Sequence, residues 1–147
     1  MGTPTALAHA VALDYAQLES REAPPITQIV HGPITFVAHC ERHGMPFFGK
    51  AYVGYVPTSE RIGASALRQM VKRAARQGES TLDQRIASML QMVVHPAGVA
   101  SIIRTSHDCG GPTLLEEAAA RSFAGWHGRY RADRSLRAEF LALCRTA

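Results

Sequence analysis

Two strand-forming segments lie on either side of a short polar cluster, and they constrain the fold more than any other feature. Residues 26–39 are rich in β-branched side chains, and residues 47–56 alternate in polarity between Pro46 and Pro57. Such patterns favour strands, and proline tends to bound them. The sequence therefore predicts a β-hairpin whose connection carries the Cys-Glu-Arg-His cluster of residues 40–43. A bend at Gly32 and Pro33 divides the first arm.

Helical spacing follows the hairpin. Residues 65–77 place apolar side chains on one face, and Ser80 with Asp83 three residues later resembles a capping box for a second helix that ends at Val94. Residues 99–104 predict a buried strand, residues 114–123 have helical propensity, and residues 133–144 predict a helix with Leu136, Phe140, Leu143 and Cys144 inward. The pattern of hairpin, two helices and further strand predicts an α+β domain.

The N-terminal segment is predicted to be separate from this domain. Residues 5–19 have helical spacing, and the Ala-Pro-Pro sequence at residues 23–25 ends that helix. We therefore expect an N-terminal helix and linker over residues 1–25 and one main domain over residues 26–147.

Composition limits the class of protein. The chain has 147 residues, of which 46% are hydrophobic and 19% charged, as expected for one domain with a core. No apolar stretch approaches the roughly 20 residues that cross a membrane, and residues 1–12 lack the basic start of a secretory signal. Three cysteines are too few for a disulfide scaffold and suit metal binding in a reducing compartment. We expect a cytoplasmic protein without a membrane partner.

The net charge of +4 permits an anionic partner, but the basic residues do not form one run. Arg68, Lys72 and Arg76 recur every four residues on a predicted helix. A solvated or inter-subunit face explains this stripe better than residual phosphate binding does. We expect no nucleic-acid partner, since aromatic residues interleaved with basic ones in strands are absent.

Two clusters carry the metal chemistry. Cys40 and His43 lie in the first, and His107 and Cys109 in the second. Together they can place two thiolates and an imidazole on one ion, and three such ligands with an open fourth position are typical of a catalytic zinc. In an extended segment His107 and Cys109 point to the same face, so both can line one pocket.

The order of several separated motifs resembles that of the GTP cyclohydrolase I family. The resemblance spans residues 26–145 and rests on CERHGMPFFGK (40–50), VGYVPTSERIGAS (53–65), Gly98-Val99-Ala100, His107-x-Cys109 and Glu139-Phe140-Leu141. It implies a tunnelling fold (T-fold), in which antiparallel strands with two helices on one side assemble into a homo-oligomeric barrel. It also implies active sites between subunits and, by the family pattern, a decamer.

The resemblance also implies roles for individual residues. Cys40, His43 and Cys109 match the family's zinc ligands, His107 matches a histidine that relays protons, and Glu41 matches the acidic neighbour of the first ligand. The family reaction that this implies is attack of a zinc-activated water on C8 of a guanine ring, followed by opening of the imidazole ring and loss of formate. An imidazole with an unperturbed pKa of about 6.5 suits the proton relay, and Glu41 is expected to orient a ligand or the water.

The sequence departs from the family pattern in the catalytic cluster. Arg42 stands where the family has its second histidine. Arginine is effectively never deprotonated, so it cannot act as a general base, although it can hold an anion or a carbonyl group.

The residues expected to hold a triphosphate are also replaced. Ser65, Ala66 and Gln69 occupy the family's Ser-Lys and arginine positions, and Arg68 is rotated from the arginine position by about 100° around the helix. The residues after Cys109 are Gly-Gly-Pro instead of a basic residue. A triphosphate needs several charge-assisted contacts, so we expect triphosphate binding to be lost.

The guanine-binding glutamate of the family falls on Ser80, with Glu79 adjacent. A carboxylate is the natural acceptor for an amino-amidine edge, so Glu79 is expected to substitute, with Ser80, Ser65 and Arg42 as further substrate-binding residues.

These patterns lead to one functional expectation and two alternatives. The expectation is a zinc-dependent, cyclohydrolase-like hydrolase that opens the imidazole ring of a purine or related fused N-heterocycle lacking a triphosphate, with His107, Glu41 and Arg42 as catalytic residues. One alternative is a hydrolase or deaminase that acts on an oxidised or already opened ring. The other is a non-catalytic, zinc-containing T-fold protein that binds a pterin or purine.

Overall fold

The computed structural model describes residues 27–40, 44–78, 81–105 and 121–146. The strands in these residues are β1 (Ile29–His39), β2 (Pro46–Val56), β3 (Gly98–Thr105) and β4 (Arg121–Gly128), and the helices are α1 (Ala64–Ala75), α2 (Leu82–Val94), a 3-10 turn (Arg129–Arg131) and α3 (Arg134–Thr146). The predicted hairpin, helix pair and third strand are confirmed. The predicted N-terminal helix and the domain boundary near residue 25 lie outside the described residues.

The strands form one antiparallel sheet in the order β1-β2-β3-β4. In the register, His39 at the end of β1 lies opposite Pro46 at the start of β2. Gly49 of β2 lies opposite Thr105, the last residue of β3. The end of β1, the start of β2 and the end of β3 therefore share one end of the sheet.

Helices α1 and α2 cover one face of the sheet. They contribute Leu67, Val71 and Ala74 from α1 and Leu82, Ile86, Leu90 and Val94 from α2 to a core that also contains alternate residues of the strands. The spacing of three or four residues explains why these helices present an apolar stripe. The α+β architecture with two helices on one side of an antiparallel sheet is as expected.

Helix α3 packs on the opposite face, where it buries Leu136, Phe140 and Cys144. The Phe140 ring is edge-on to the rings of Trp126 and Tyr130, at centroid distances of 5.8 and 6.1 Å. Leu143 is 40% exposed, so its predicted inward position is wrong. The buried residues of α3 repeat every four positions and form a stripe that Leu143 borders.

An irregularity in β1 sets which side chains face α1 and α2. The pairing with β2 shifts between His31 and Ile34. Ile29 packs against the helix-side core before this shift, and Ile34, Phe36 and Ala38 do so after it. Side chains alternate between the two faces along a strand. The residues of β1 that face α1 and α2 are therefore odd-numbered before the shift and even-numbered after it. The predicted bend at this point is confirmed, and His39 is exposed.

Two local predictions differ from the structure. Residues 121–123, the end of the segment with predicted helical propensity, lie in strand β4, where Phe123 is opposite Ile103; strand pairing overrides helical propensity there. Residues 114–120 of that segment lie outside the described residues. The predicted capping box used Ser80, which also lies outside the described residues. Thr81 is the residue before α2 and makes no side-chain cap, while Asp83 lies 3.4 Å from His127 of β4. Within the described residues, no helix is long and apolar enough to cross a membrane.

The close approach of α3 to the sheet requires a glycine in β2. A Cβ added at Gly54 would lie 2.7 Å from the Phe140 ring, which is fully buried. We predict that Gly54→Ala lowers the free energy of unfolding by about 1–3 kcal/mol because a tightly packed ring must move. Urea denaturation followed by circular dichroism measures this change.

The control is the double variant with Phe140→Leu, whose smaller side chain leaves room for the new methyl group. The two changes should be less destabilising together than the sum of each alone. Strict additivity would show that the two positions are not in contact.

Candidate metal and substrate site

Cys40 lies directly after β1 and closes the β1–β2 hairpin. Its N–H donates to the Met45 carbonyl at 2.8 Å, and its carbonyl accepts from the Gly44 N–H at 2.7 Å. Gly44 has φ of +66°, a left-handed conformation that glycine adopts at little cost. Cys40 continues the alternation of Phe36 and Ala38 and is 5% exposed. The fold therefore holds the first predicted ligand in a shielded position at a sharp reversal of the chain.

The segment that carries the second cluster leaves the sheet at the same end. β3 ends at Thr105, which is 1% exposed. Thr105 lies opposite Gly49 of β2, and Gly49 lies opposite Phe36 of β1, so two strand spacings of about 10 Å in total separate Thr105 from Phe36. Cys40 lies four residues beyond Phe36, about 13 Å further along the strand. The end of β3 and Cys40 are therefore at the same end of the sheet.

Seven predicted site residues lie outside the described residues: Glu41, Arg42, His43, Glu79, Ser80, His107 and Cys109. Their roles stay predictions. Within residues 27–40, 44–78, 81–105 and 121–146, no group of three histidine, cysteine, aspartate or glutamate side chains is placed to hold a metal.

The described part of the site fits a zinc ligand set. A buried cysteine at a strand end offers a soft sulfur donor that is shielded from bulk water. Cys144, the other described cysteine, differs because it packs in the α3 core. Burial raises the pKa of Cys144 to about 11, although Arg104 opposes the shift. Cys144 is therefore a protonated core thiol at neutral pH, as its sequence position on a predicted helix indicated.

Ser65 lies in the first turn of α1 and is exposed. The start of this helix is fixed by Tyr55, whose hydroxyl accepts from the Ile62 N–H at 3.2 Å. Tyr55 is one residue from the end of β2, whereas Cys40 lies beside the start of that strand. The nine residue steps of β2 from Pro46 to Tyr55 span roughly 30 Å. Within one chain, the fold therefore places Ser65 and Cys40 at opposite ends of the sheet.

The residues on either side of Glu79 and Ser80 are firmly placed. Arg85 of α2 donates to the carbonyls of Gln77 and Gly78. On the other side, Thr81 has φ of 60° and ψ of 22°. A β-branched residue in this left-handed region is strained, and such strain is concentrated at functional sites. The predicted substrate-binding pair thus lies between a side-chain clamp and a strained residue.

Sequence reasoning missed the contact between Asp83 and His127. The Asp83 Oδ2 lies 3.4 Å from the His127 Nε2, and both side chains are partly buried. This nitrogen makes no hydrogen bond with the described residues, so the two side chains are close but poorly aligned for a hydrogen bond. Gly125 makes room for it, since a Cβ there would lie 2.6 Å from the same carboxylate oxygen. Only the packing of α2 on β4 could have indicated this pair.

The comparison with known proteins decides the family. The model of the GTP cyclohydrolase I family matches residues 11–145. The chain belongs to the GTP cyclohydrolase I family. This membership agrees with the antiparallel sheet and the two helices on one of its faces, the arrangement that the resemblance implied.

Several curated relatives are named GTP cyclohydrolase 1. The chain is 36% identical over 115 residues to that of Chlorobium phaeovibrioides, which covers 76% of this chain and 52% of the relative. It is 36% identical over 118 residues to that of Teredinibacter turnerae, which covers 78% of this chain and 64% of the relative. The chain thus spans about half the length of the Chlorobium protein and somewhat more of the other.

Two solved structures share the fold at low identity. An archaeosine synthase, QueF-Like, in the apo form gives a TM-score of 0.56 at 12% identity, over 73% of this chain and 97% of that chain. A Vibrio cholerae protein described as a putative dihydroneopterin aldolase (FolB) gives 0.52 at 6% identity, over 72% of this chain and all of that chain. These likenesses concern the fold alone.

The two described cysteines allow a direct test of metal ligation. We predict that the purified protein holds about one zinc ion per chain and that Cys40→Ser loses most of it, because serine is a far weaker zinc ligand than a thiolate. The matched control, Cys144→Ser, should retain wild-type zinc content. Elemental analysis by mass spectrometry measures the metal, and circular dichroism checks folding. Wild-type zinc content in a folded Cys40→Ser protein would exclude Cys40 as a ligand.

Proposed function

We propose that this protein is a zinc-dependent, cyclohydrolase-like hydrolase that opens the imidazole ring of a purine or related fused N-heterocycle lacking a triphosphate. Substrates of this kind are a free base, a nucleoside or a nucleoside monophosphate. The proposal is supported chiefly by one observation. In a member of the GTP cyclohydrolase I family, the hairpin end with Cys40 and the end of β3 lie at the same end of the sheet.

In this proposal Cys40, His43 and Cys109 hold the zinc ion. Zinc with an open coordination position supplies a bound water of lowered pKa, about 7, and hence a nucleophile at neutral pH. Thiolate ligands persist in a reducing compartment, so we place the protein in the cytoplasm.

His107 handles the proton in the proposed reaction. Its position two residues before Cys109 puts it beside the metal in sequence. An imidazole can accept a proton and return it to the ring nitrogen that departs when the ring opens. Glu41 orients the first ligands through hydrogen bonds. Arg42 holds a carbonyl or anionic group of the substrate, since it cannot act as a base.

Glu79 and Ser80 are proposed to bind the amino-amidine edge of the heterocycle. A carboxylate accepts two hydrogen bonds from such an edge. The clamp by Arg85 and the strained Thr81 support this assignment, because both would fix the position of a short binding segment.

The distance between Ser65 and Cys40 bears on assembly. A Ser65 side chain that reaches the Cys40 site must come from another copy of the chain, since roughly 30 Å of β2 separates the two within one copy. We therefore propose a homo-oligomer with active sites between subunits, and a decamer by the family resemblance.

The proposal that the substrate lacks a triphosphate is supported by the residues in the first turns of α1. Ser65, Ala66 and Gln69 are exposed there and carry no charge. Arg68, Lys72 and Arg76 are exposed on another part of the helix surface. A triphosphate requires several charge-assisted hydrogen bonds, which the uncharged positions do not offer.

A substrate panel tests the proposed specificity. We predict that at least one of guanine, guanosine and GMP is turned over with a kcat/KM about tenfold or more above that of GTP, because the triphosphate contacts are missing. Ultraviolet absorbance reports ring opening, and a formate assay reports release of C8. Efficient turnover of GTP with the other three inert would contradict the proposal.

Arg42 distinguishes ring opening from the alternative chemistry of an oxidised or already opened ring. Mass spectrometry of products from the wild type and Arg42→His shows which bond is cleaved. A ring-opened product from an intact purine supports the proposal. Turnover of only oxidised or opened substrates by the wild type, with intact purines accepted by Arg42→His, favours the alternative.

His107→Ala tests whether the protein is catalytic. We predict that kcat falls by about 10²–10⁴-fold, the usual contribution of a general acid–base group, while zinc content and substrate binding are retained. Single-turnover kinetics, elemental analysis and calorimetric binding measure the three quantities. Ligand binding without turnover by the zinc-containing wild type would favour a non-catalytic binding role, and an unchanged kcat in His107→Ala would exclude His107 as the proton relay.

A further inference from the structure

A row of donor side chains crosses the sheet on the face away from α1 and α2. Lys50 of β2 lies directly opposite Arg104 of β3. Thr35 of β1 lies opposite Lys50, and Ser122 of β4 lies opposite Arg104. All four residues are exposed. Because neighbours in register on one face are about 5 Å apart, the row sets two cations side by side with a hydroxyl at each end.

Without a bound anion, this arrangement of two cations is electrostatically unfavourable. Like charges directly opposite each other destabilise a strand pair. In the part of the chain that the structure describes, neither Lys50 nor Arg104 forms an ion pair with a carboxylate; the carboxylates there that lie within 4 Å of a basic side chain are Asp83, near His127, and Asp133, near Arg129. The two positive charges therefore lack a described counter-charge.

Helix α3 does not supply the missing negative charge. Its residue Cys144 belongs to the same core as Tyr52, the ring that Arg104 contacts. A helix C-terminus carries only about half a negative elementary charge, and Arg145 adds a positive charge to the last turn of α3. The carboxylates of Asp133 and Glu139 are committed elsewhere, to the Leu136 N–H and the Thr27 hydroxyl.

The Arg104 guanidinium is positioned rather than extended freely into water. Its Cζ lies 5.8 Å from the centre of the Tyr52 ring, in a cation–π contact on the same sheet face. Tyr52 itself is 8% exposed and packed under α3. An arginine held in this way loses less freedom when it binds a ligand and offers a fork of donors that matches phosphate oxygens.

We propose that Lys50 and Arg104, flanked by the hydroxyls of Thr35 and Ser122, bind a phosphate group, either inorganic or carried by a small molecule. Two adjacent cations and two hydroxyls match the charge and the several acceptor oxygens of one phosphate group. Within one chain, the site lies on the sheet face opposite the core that Phe36 and Ala38 join. It shares no residue with the proposed hydrolase site. It is also separate from the basic stripe of Arg68, Lys72 and Arg76, which lies on helix α1 on the other side of the sheet.

The test is thermal unfolding and calorimetric titration of the full chain with potassium phosphate at constant ionic strength. At about 1–10 mM, the wild type should show a saturable rise in Tm of a few degrees, as expected for a ligand that binds only the folded state. Arg104→Gln and Lys50→Gln should each weaken binding by about tenfold or more. The matched control Arg73→Gln, an exposed residue of α1 with the same charge change, should bind as the wild type does.

Arg104→Glu provides a second, opposite readout. In chloride alone it should raise Tm, because a carboxylate opposite Lys50 replaces like-charge repulsion with an ion pair, and it should abolish the phosphate response. Phenyl phosphate distinguishes the two sources of the group. Binding tighter than that of inorganic phosphate indicates a small molecule that also contacts the neighbouring exposed Phe48, and equal binding indicates the free ion.

Three results would overturn the proposal. One is a wild-type Tm that does not respond saturably to either phosphate compound. The second is an equal response in Arg104→Gln and Arg73→Gln, which would reflect general salting-out by phosphate. The third is a phosphate response that persists in a folded Arg104→Glu protein.

Discussion

The fold depends on one strand that must be covered on both faces. The last six residues of β2, from Ala51 to Val56, are all buried. Since successive side chains point to opposite faces, an apolar layer is required on each side of the sheet. Helices α1 and α2 cover Val53 and Tyr55, and α3 covers Tyr52 and Val56. Loss of either layer would expose half of the central strand.

The same alternation places the two proposed sites, the metal site at Cys40 and the phosphate site at Lys50 and Arg104, on different faces. After the shift in β1 between His31 and Ile34, Phe36 and Ala38 join the helix-side core, and the buried Cys40 continues their spacing just beyond the strand. The opposite face carries Lys50 and Arg104 in one row. A shift of one residue in the β1 pairing would turn Cys40 to the other face. The irregularity in β1 is thus as important for the proposed metal site as the ligand itself.

Local patterns in the sequence were sufficient for the hairpin and the helix pair, whose alternation and helical spacing are strong. They failed where distant contacts decide the outcome: Phe123 joins a strand because Ile103 lies opposite it, and the contact of Asp83 with His127 was not predicted. The position of Cys40 at the hairpin end could be predicted. The separation of Ser65 from Cys40 could not, because it depends on the direction of β2 and on the contact that fixes the start of α1.

The central claim is that the hairpin end and the segment after β3 supply one metal site from Cys40, His43 and Cys109. X-ray absorption at the zinc edge of the purified protein tests it most directly, since sulfur and nitrogen ligands differ in distance. The account predicts two sulfur ligands at about 2.3 Å and one imidazole nitrogen at about 2.0 Å, with a light atom in the fourth position. A zinc ion with four protein ligands, or with no sulfur ligand, would contradict it.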